Sequence, residues 1–120
     1  EPNLITFTLL LCACSHAGLL QEGETLFNEM CALYCLKPTL EHYTCMIDLF
    51  GRAGYFEKAT SFLDKVPHSG YLTPFVALLG ACLKWKNVQL GRWAFEKSLQ
   101  LDKNCGCIYV CMESIYATGL

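Results

Sequence analysis

Phe7, Leu10, Leu11 and Cys14 recur at i, i+3, i+4 and i+7, the spacing of a single apolar helix face. Gly18 follows, where a glycine enters a left-handed cap without steric cost and ends the helix. A second stripe of Leu20, Gly23, Leu26, Phe27 and Met30 lies on one face of the next helix. The same periodicity continues along the chain and predicts helices over 4–17, 20–34, 40–53, 56–66, 74–86, 88–101 and 106–118. Pro38 and Pro67 fall beyond the second helices of their units, where proline cannot continue the helix.

The pattern repeats. At an offset of 36 residues Ala17-Gly18 falls on Ala53-Gly54, Leu20 on Phe56, Gly23 on Ala59, Leu26 on Phe62, Phe27 on Leu63 and Met30 on Val66. At an offset of 68, "TFTLLLCAC" aligns with "PFVALLGAC": Phe7 meets Phe75, Leu10-Leu11 meets Leu78-Leu79, and Ala13-Cys14 meets Ala81-Cys82. Gln21 and Gly23 then match Gln89 and Gly91. Units of about 32 to 36 residues, each a pair of helices, predict a solenoid. Gly23, Ala59 and Gly91 are small at the matching place, which lets the two helices of a hairpin approach closely.

Composition narrows the reading. The chain has 120 residues, 53% of them apolar and 17% charged, enough to bury a core. Its net charge of −2 is unlike that of a domain that holds phosphates by charge alone. No apolar run approaches the roughly 20 residues of a membrane span. The opening "EPNLITF" has no Met and no basic leader, so the chain reads as a piece of something longer, with no targeting segment in view.

The nine cysteines are Cys12, Cys14, Cys31, Cys35, Cys45, Cys82, Cys105, Cys107 and Cys111. Their odd count, their place in apolar helical patterns and the absence of any C-x-x-C argue for free, buried thiols in a reducing compartment. A zinc site from Cys105, Cys107 and Cys111 is the weaker alternative, since structural zinc takes paired ligands with a second distant pair. The reading is therefore no metal and no cofactor.

Tetratricopeptide repeats would account for much of this spacing. The wording of "TFTLLLCACSHAGLLQEGETLFNEM…LKPTLEHYTCMIDLFGRAGYFEKA" instead closely resembles the pentatricopeptide repeats of plant organelle proteins. More narrowly, it resembles the C-terminal end of the PLS subclass, which alternates standard, long and short repeats. "LEHYTCMIDLFGRAG" is similar to the last short repeat, "FVALLGACLKWKNVQLGRWAFEKSLQLD" to the extension motif after it, and "IYVCMESIYATGL" to the opening of a second. The resemblance covers essentially the whole chain. It implies an all-α fold, a right-handed α-solenoid of antiparallel helix hairpins. The units are the end of a preceding repeat at 1–3, a long repeat at 4–39, a short repeat at 40–71, an extension motif at 72–105 and a truncated second one at 106–120. The last helix then has no partner, which would leave its apolar face around Tyr109, Val110, Met112 and Tyr116 open, since a solenoid end needs a polar cap.

The resemblance also implies a ligand. Such proteins bind single-stranded RNA at about one base per repeat, through two or three side chains. The fifth and last residues of a repeat reach the base edge: Thr8 with Thr39 in the long repeat, and Thr44 with Tyr71 in the short one. Asn3 would be the last residue of the preceding repeat. The family's last residue is commonly Asp or Asn, so Thr39 and Tyr71 depart from the pattern, and Tyr71 could stack or simply pack. The thirteenth residues, near the RNA backbone, are His16, Arg52 and Lys84, although a cation late in a helix also suits its dipole. Lys84, Lys86 and Arg92 form the densest positive stretch, although "LKWKN" could equally be a solvated turn with Trp85 tucked into the core.

The resemblance further implies site specificity in C-to-U RNA editing or related processing, in a mitochondrion or chloroplast. Partners would be organellar RNA bound through the whole repeat array and editing-complex proteins at the extension motifs, with no DNA and no membrane. The H-x-E and P-C-x-x-C of a zinc deaminase are absent, and His16, His42 and His68 are scattered, so the chain reads as no enzyme. The alternative is a scaffold that grips protein or peptide partners without RNA.

Overall fold

A computed structural model describes residues 3–66, 72–101 and 106–119. The chain is all-α, with no strand among those residues. Its elements are α1 (Leu4–Ala17), α2 (Leu20–Ala32), α3 (Leu40–Arg52), α4 (Phe56–Asp64), α5 (Thr73–Trp85), α6 (Val88–Leu101) and α7 (Gly106–Gly119). The expected helices are all present. α2 ends two residues earlier than the spacing predicts, because Cys35 turns into the left-handed region (φ 53°) and Leu36 N–H closes onto Met30 O at 2.9 Å. α4 likewise stops at Asp64, where Lys65 N–H falls back on Phe62 O at 3.1 Å. Pro67 lies outside the described residues.

The hairpin turn is written three times. Leu19, Tyr55 and Asn87 each donate a backbone N–H to a carbonyl five residues back, on Cys14, Phe50 and Cys82, at 2.9–3.0 Å. That bond requires a left-handed residue just before the donor. Gly18 (φ 72°) and Gly54 (φ 86°) supply it in the first two copies, and Lys86 (φ 58°) in the third. So short a turn sends each second helix back along the first.

The chain forms two compact units, Glu1–Pro67 and His68–Leu120. In the first, α1 packs on α2 and α3, and α3 packs on α4. Its core holds Phe7, Leu11, Phe27, Met30, Met46, Ile47, Phe50 and Phe62. Phe62 sits edge-on to Phe27 at 5.2 Å and stacked on Phe50 at 5.8 Å. Leu10 departs from the expected face: it is exposed, whereas its equivalent Met46 is buried. α3 has α1 and α2 against it, and no helix among the described residues covers the corresponding side of α1.

In the second unit α7 packs on both α5 and α6, around Leu78, Leu79, Cys82, Ala94, Met112 and Ile115. The open face expected on the last helix is therefore smaller than its sequence suggests. Met112 is buried, and Tyr116 Oη accepts Arg92 Nε–H at 2.8 Å, which leaves Tyr109 and Val110 as the exposed part. Trp85 is not tucked into the core. It is 49% exposed, because it is the last residue of α5, beyond the cover of α6, as its equivalent Ala17 is at the end of α1. Lys84 Nζ lies 5.6 Å from its ring centroid.

The small residues do what their position promises. A Cβ on Gly23 would lie 3.5 Å from Cys14 Cβ and 2.5 Å from Leu49 Cδ2. One on Gly91 would lie 3.5 Å from Cys82 Cβ and 3.1 Å from Ile115 Cδ1. Both glycines thus face the first helix of their own hairpin and the first helix that follows. Of the described cysteines, Cys14 and Cys82 are buried, Cys12 and Cys45 are half-buried, and Cys31 and Cys35 are exposed, all as free thiols. The expectation of buried thiols fails at the last two, which lie at the end of α2 and in the turn beyond it, where no helix covers them. The Cys105, Cys107 and Cys111 side chains lie outside the described set, and no other described group of three His, Cys, Asp or Glu is placed to hold a metal.

Candidate nucleic-acid interface

Thr8 and Thr44 occupy equivalent places on α1 and α3. A threonine one turn into a helix returns its hydroxyl proton to the carbonyl four residues back. Thr8 Oγ1 donates to Leu4 O at 2.7 Å and Thr44 Oγ1 to Leu40 O at 2.9 Å, and both residues are half-buried. Thr39 is the N-cap of α3, as Asn3 is the N-cap of α1, where its Oδ1 accepts Thr6 N–H at 2.9 Å. The last position of each unit is therefore also a helix cap, a role for which Asn and Thr are suited regardless of ligand. Tyr71 lies outside the described residues.

Three contacts one turn apart join α1 to α3. Thr8 Oγ1 lies 2.8 Å from His42 Nε2, Cys12 Sγ lies 3.3 Å from Cys45 Sγ, and Ser15 Oγ donates to Asp48 Oδ2 at 2.7 Å. His42 is the residue that sequence reasoning passed over as one of three scattered histidines. It is fully buried, and its Nδ1 accepts Thr39 N–H at 2.9 Å. A backbone N–H can only donate, so Nδ1 carries no proton and the ring hydrogen sits on Nε2. A signal was present: Thr39-x-x-His42 has the spacing of a capping box, with His where Glu or Gln is usual.

The basic candidates divide. His16 is exposed in the last turn of α1. Arg52 is exposed as well, but its Nε–H donates to Asp48 Oδ1 at 3.1 Å, so the carboxylate serving Ser15 also offsets this cation. Lys84 lies in the second unit at the end of α5. Burial, the Cys12 thiol and the charges of Asp48 and Glu41, in that order of first cause, push the Cys45 thiol up to about 12. Among the described residues no buried side-chain nitrogen or oxygen is left without a hydrogen-bond partner. This surface is built to present neutral hydroxyls on a rigid backing, with few cations beside them.

Residues 5–35 and 41–71 each match the family described as PPR repeat, together more than half of the chain. The chain is also similar to curated pentatricopeptide repeat-containing proteins of Arabidopsis thaliana. A mitochondrial one is 42% identical over 100% of this chain and 20% of its own length. A second is 43% identical over 98% of the chain and 19% of its length. A chloroplastic one is 40% identical over 98% and 14%. The chain thus spans a fifth or less of the length of these relatives.

Proposed function

The chain belongs to the pentatricopeptide repeat family, whose members are in general organellar RNA-binding factors, and from that premise we propose that it is part of a site-specificity factor for organellar RNA processing, C-to-U editing in particular. Its first unit is read as a long and a short repeat of the PLS subclass, its second as extension motifs. Single-stranded RNA lies along α1 and α3, with Thr8 and Thr39 at one base and Thr44 and Tyr71 at the next. His16, Arg52 and Lys84 are the backbone candidates. The chain binds and positions; chemistry on the RNA belongs to proteins recruited by the extension motifs. Relatives named mitochondrial and chloroplastic support an organelle as the place of action.

The observation that carries this reading is the equivalence of Thr8 and Thr44. Two half-buried hydroxyls stand at the same register of two packed first helices, one unit apart, as a reader of successive bases requires. The second reading, a scaffold for protein partners, draws its support from the second unit. There Trp85, Trp93, Tyr109 and Val110 are exposed apolar groups of the kind an interface covers.

Fluorescence anisotropy with labelled single-stranded RNA tests the proposal. Binding to RNA but not to duplex DNA is expected, weakened about fivefold by Thr8→Val and again by Thr44→Val, as loss of one neutral hydrogen bond each predicts. Equal affinity of the wild type and the Thr8→Val, Thr44→Val double variant would overturn base reading by these residues.

A further inference from the structure

We propose that His42 is a specificity-determining positioning residue: it holds the Thr8 hydroxyl so that this group can only accept a hydrogen bond from a base. The inference rests on the RNA-binding reading above and adds to it a polarity that neither the repeat register nor the identity of Thr8 supplies.

Thr39 N–H donates to His42 Nδ1 at 2.9 Å, which fixes the ring hydrogen on Nε2. That hydrogen has two acceptors in reach, Thr8 Oγ1 at 2.8 Å and, less closely, Leu4 O at 3.3 Å. The Thr8 proton is itself committed to Leu4 O at 2.7 Å. Of the three hydrogen-bonding sites on a hydroxyl, one proton and one lone pair are used, and what remains is one lone pair. His42 is fully buried and its ring is held at both nitrogens, so the arrangement is fixed before any ligand arrives. With only the backbone bond to Leu4 O, the Thr8 proton could still turn toward a base, and a hydroxyl so held reads bases loosely. Backed by His42, Thr8 reads in one sense.

An acceptor of this kind favours bases that offer an exocyclic amino group: adenine, cytosine and guanine. Uracil has no amino group, and its one N–H lies between two carbonyl oxygens whose lone pairs would face that of Thr8. The unit that holds Thr8 is therefore expected to disfavour uracil by about five- to tenfold, the worth of one hydrogen bond made or replaced by repulsion.

Two replacements separate positioning from packing. An asparagine amide reaches the place of Nδ1 but not of Nε2, whereas a glutamine amide reaches the place of Nε2. His42→Gln is thus expected to keep the preference for oligoadenylate and oligocytidylate over oligouridylate, and His42→Asn to lose it, with circular dichroism confirming helical content in both. Equal preferences in the two folded variants overturn the proposal. Failure of the wild type to bind any of the three oligonucleotides overturns the RNA reading itself, and this inference with it. A readout without RNA stands beside these, for the case in which a variant does not fold. Ring-nitrogen NMR of the unmodified chain is expected to show His42 with its hydrogen on Nε2, and a hydrogen on Nδ1 would overturn the assignment.

Discussion

At the scale of single residues, the three turns give a controlled comparison. The left-handed place after each first helix is glycine twice and Lys86 once, and a side chain there costs about 1 kcal/mol. Lys86→Gly is expected to stabilise the chain by about that amount, less the added entropy of glycine in the unfolded state. A rise in the denaturant midpoint checks it; a fall would mean that Lys86 has a role beyond the turn. Cys82 makes a second residue-level prediction. Burial raises its thiol from 9.0 to about 12, so the folded state keeps a proton that the unfolded state releases. The unfolded state therefore binds fewer protons between those values, and stability falls as pH rises through the window, by at most about 1.4 kcal/mol per pH unit for one group. Well below pH 9 this group contributes no slope. Urea melts from pH 8 to 11 on the wild type and Cys82→Ala should differ by that slope, the variant being flatter.

At the scale of elements, spacing determines most of what was legible in advance. Period 3.6 located the helices, the offset located the hairpins, and Gly23, Ala59 and Gly91 marked where helices meet. Gly23→Ala and Gly91→Ala test that last point by contrast. In a helix interior alanine gains about 1 kcal/mol over glycine, and overpacking costs about 1–3 kcal/mol. The new methyl would sit 2.5 Å from Leu49 Cδ2 in one case and 3.1 Å from Ile115 Cδ1 in the other. Gly23→Ala should lose about 1 kcal/mol net and Gly91→Ala should be near neutral, read by thermal melts. What spacing did not show is the seam between α1 and α3. His42 reads as a stray polar residue until Thr39 caps α3 and brings Thr8 beside it, because hydrogen bonds across 34 residues follow from stacking and not from any local period. Cys31 and Cys35 are misjudged for the converse reason: they stand in an apolar run, but Cys31 lies in the last turn of α2 and Cys35 beyond its end, where both are exposed.

At the scale of the whole molecule, charge decides what kind of RNA contact the proposed function allows. Lys and Arg number 9 against 11 Asp and Glu. Of the three backbone candidates, two are a lysine and an arginine, Lys84 and Arg52, and Arg52 already shares Asp48. On single strands each neutralised phosphate contributes about −0.7 to the slope of log K against log salt. Two cations working fully give a slope of about −1.4, and the partial engagement of Arg52 makes it shallower. Affinity from this segment is therefore small in charge and modest in hydrogen bonds. Titrating RNA affinity against potassium chloride from low to moderate salt is expected to give a slope no steeper than about −1.4. A slope beyond about −3 would place several more lysines on the phosphates and would transfer the burden of recognition from the hydroxyls of α1 and α3 to the surface charge around them.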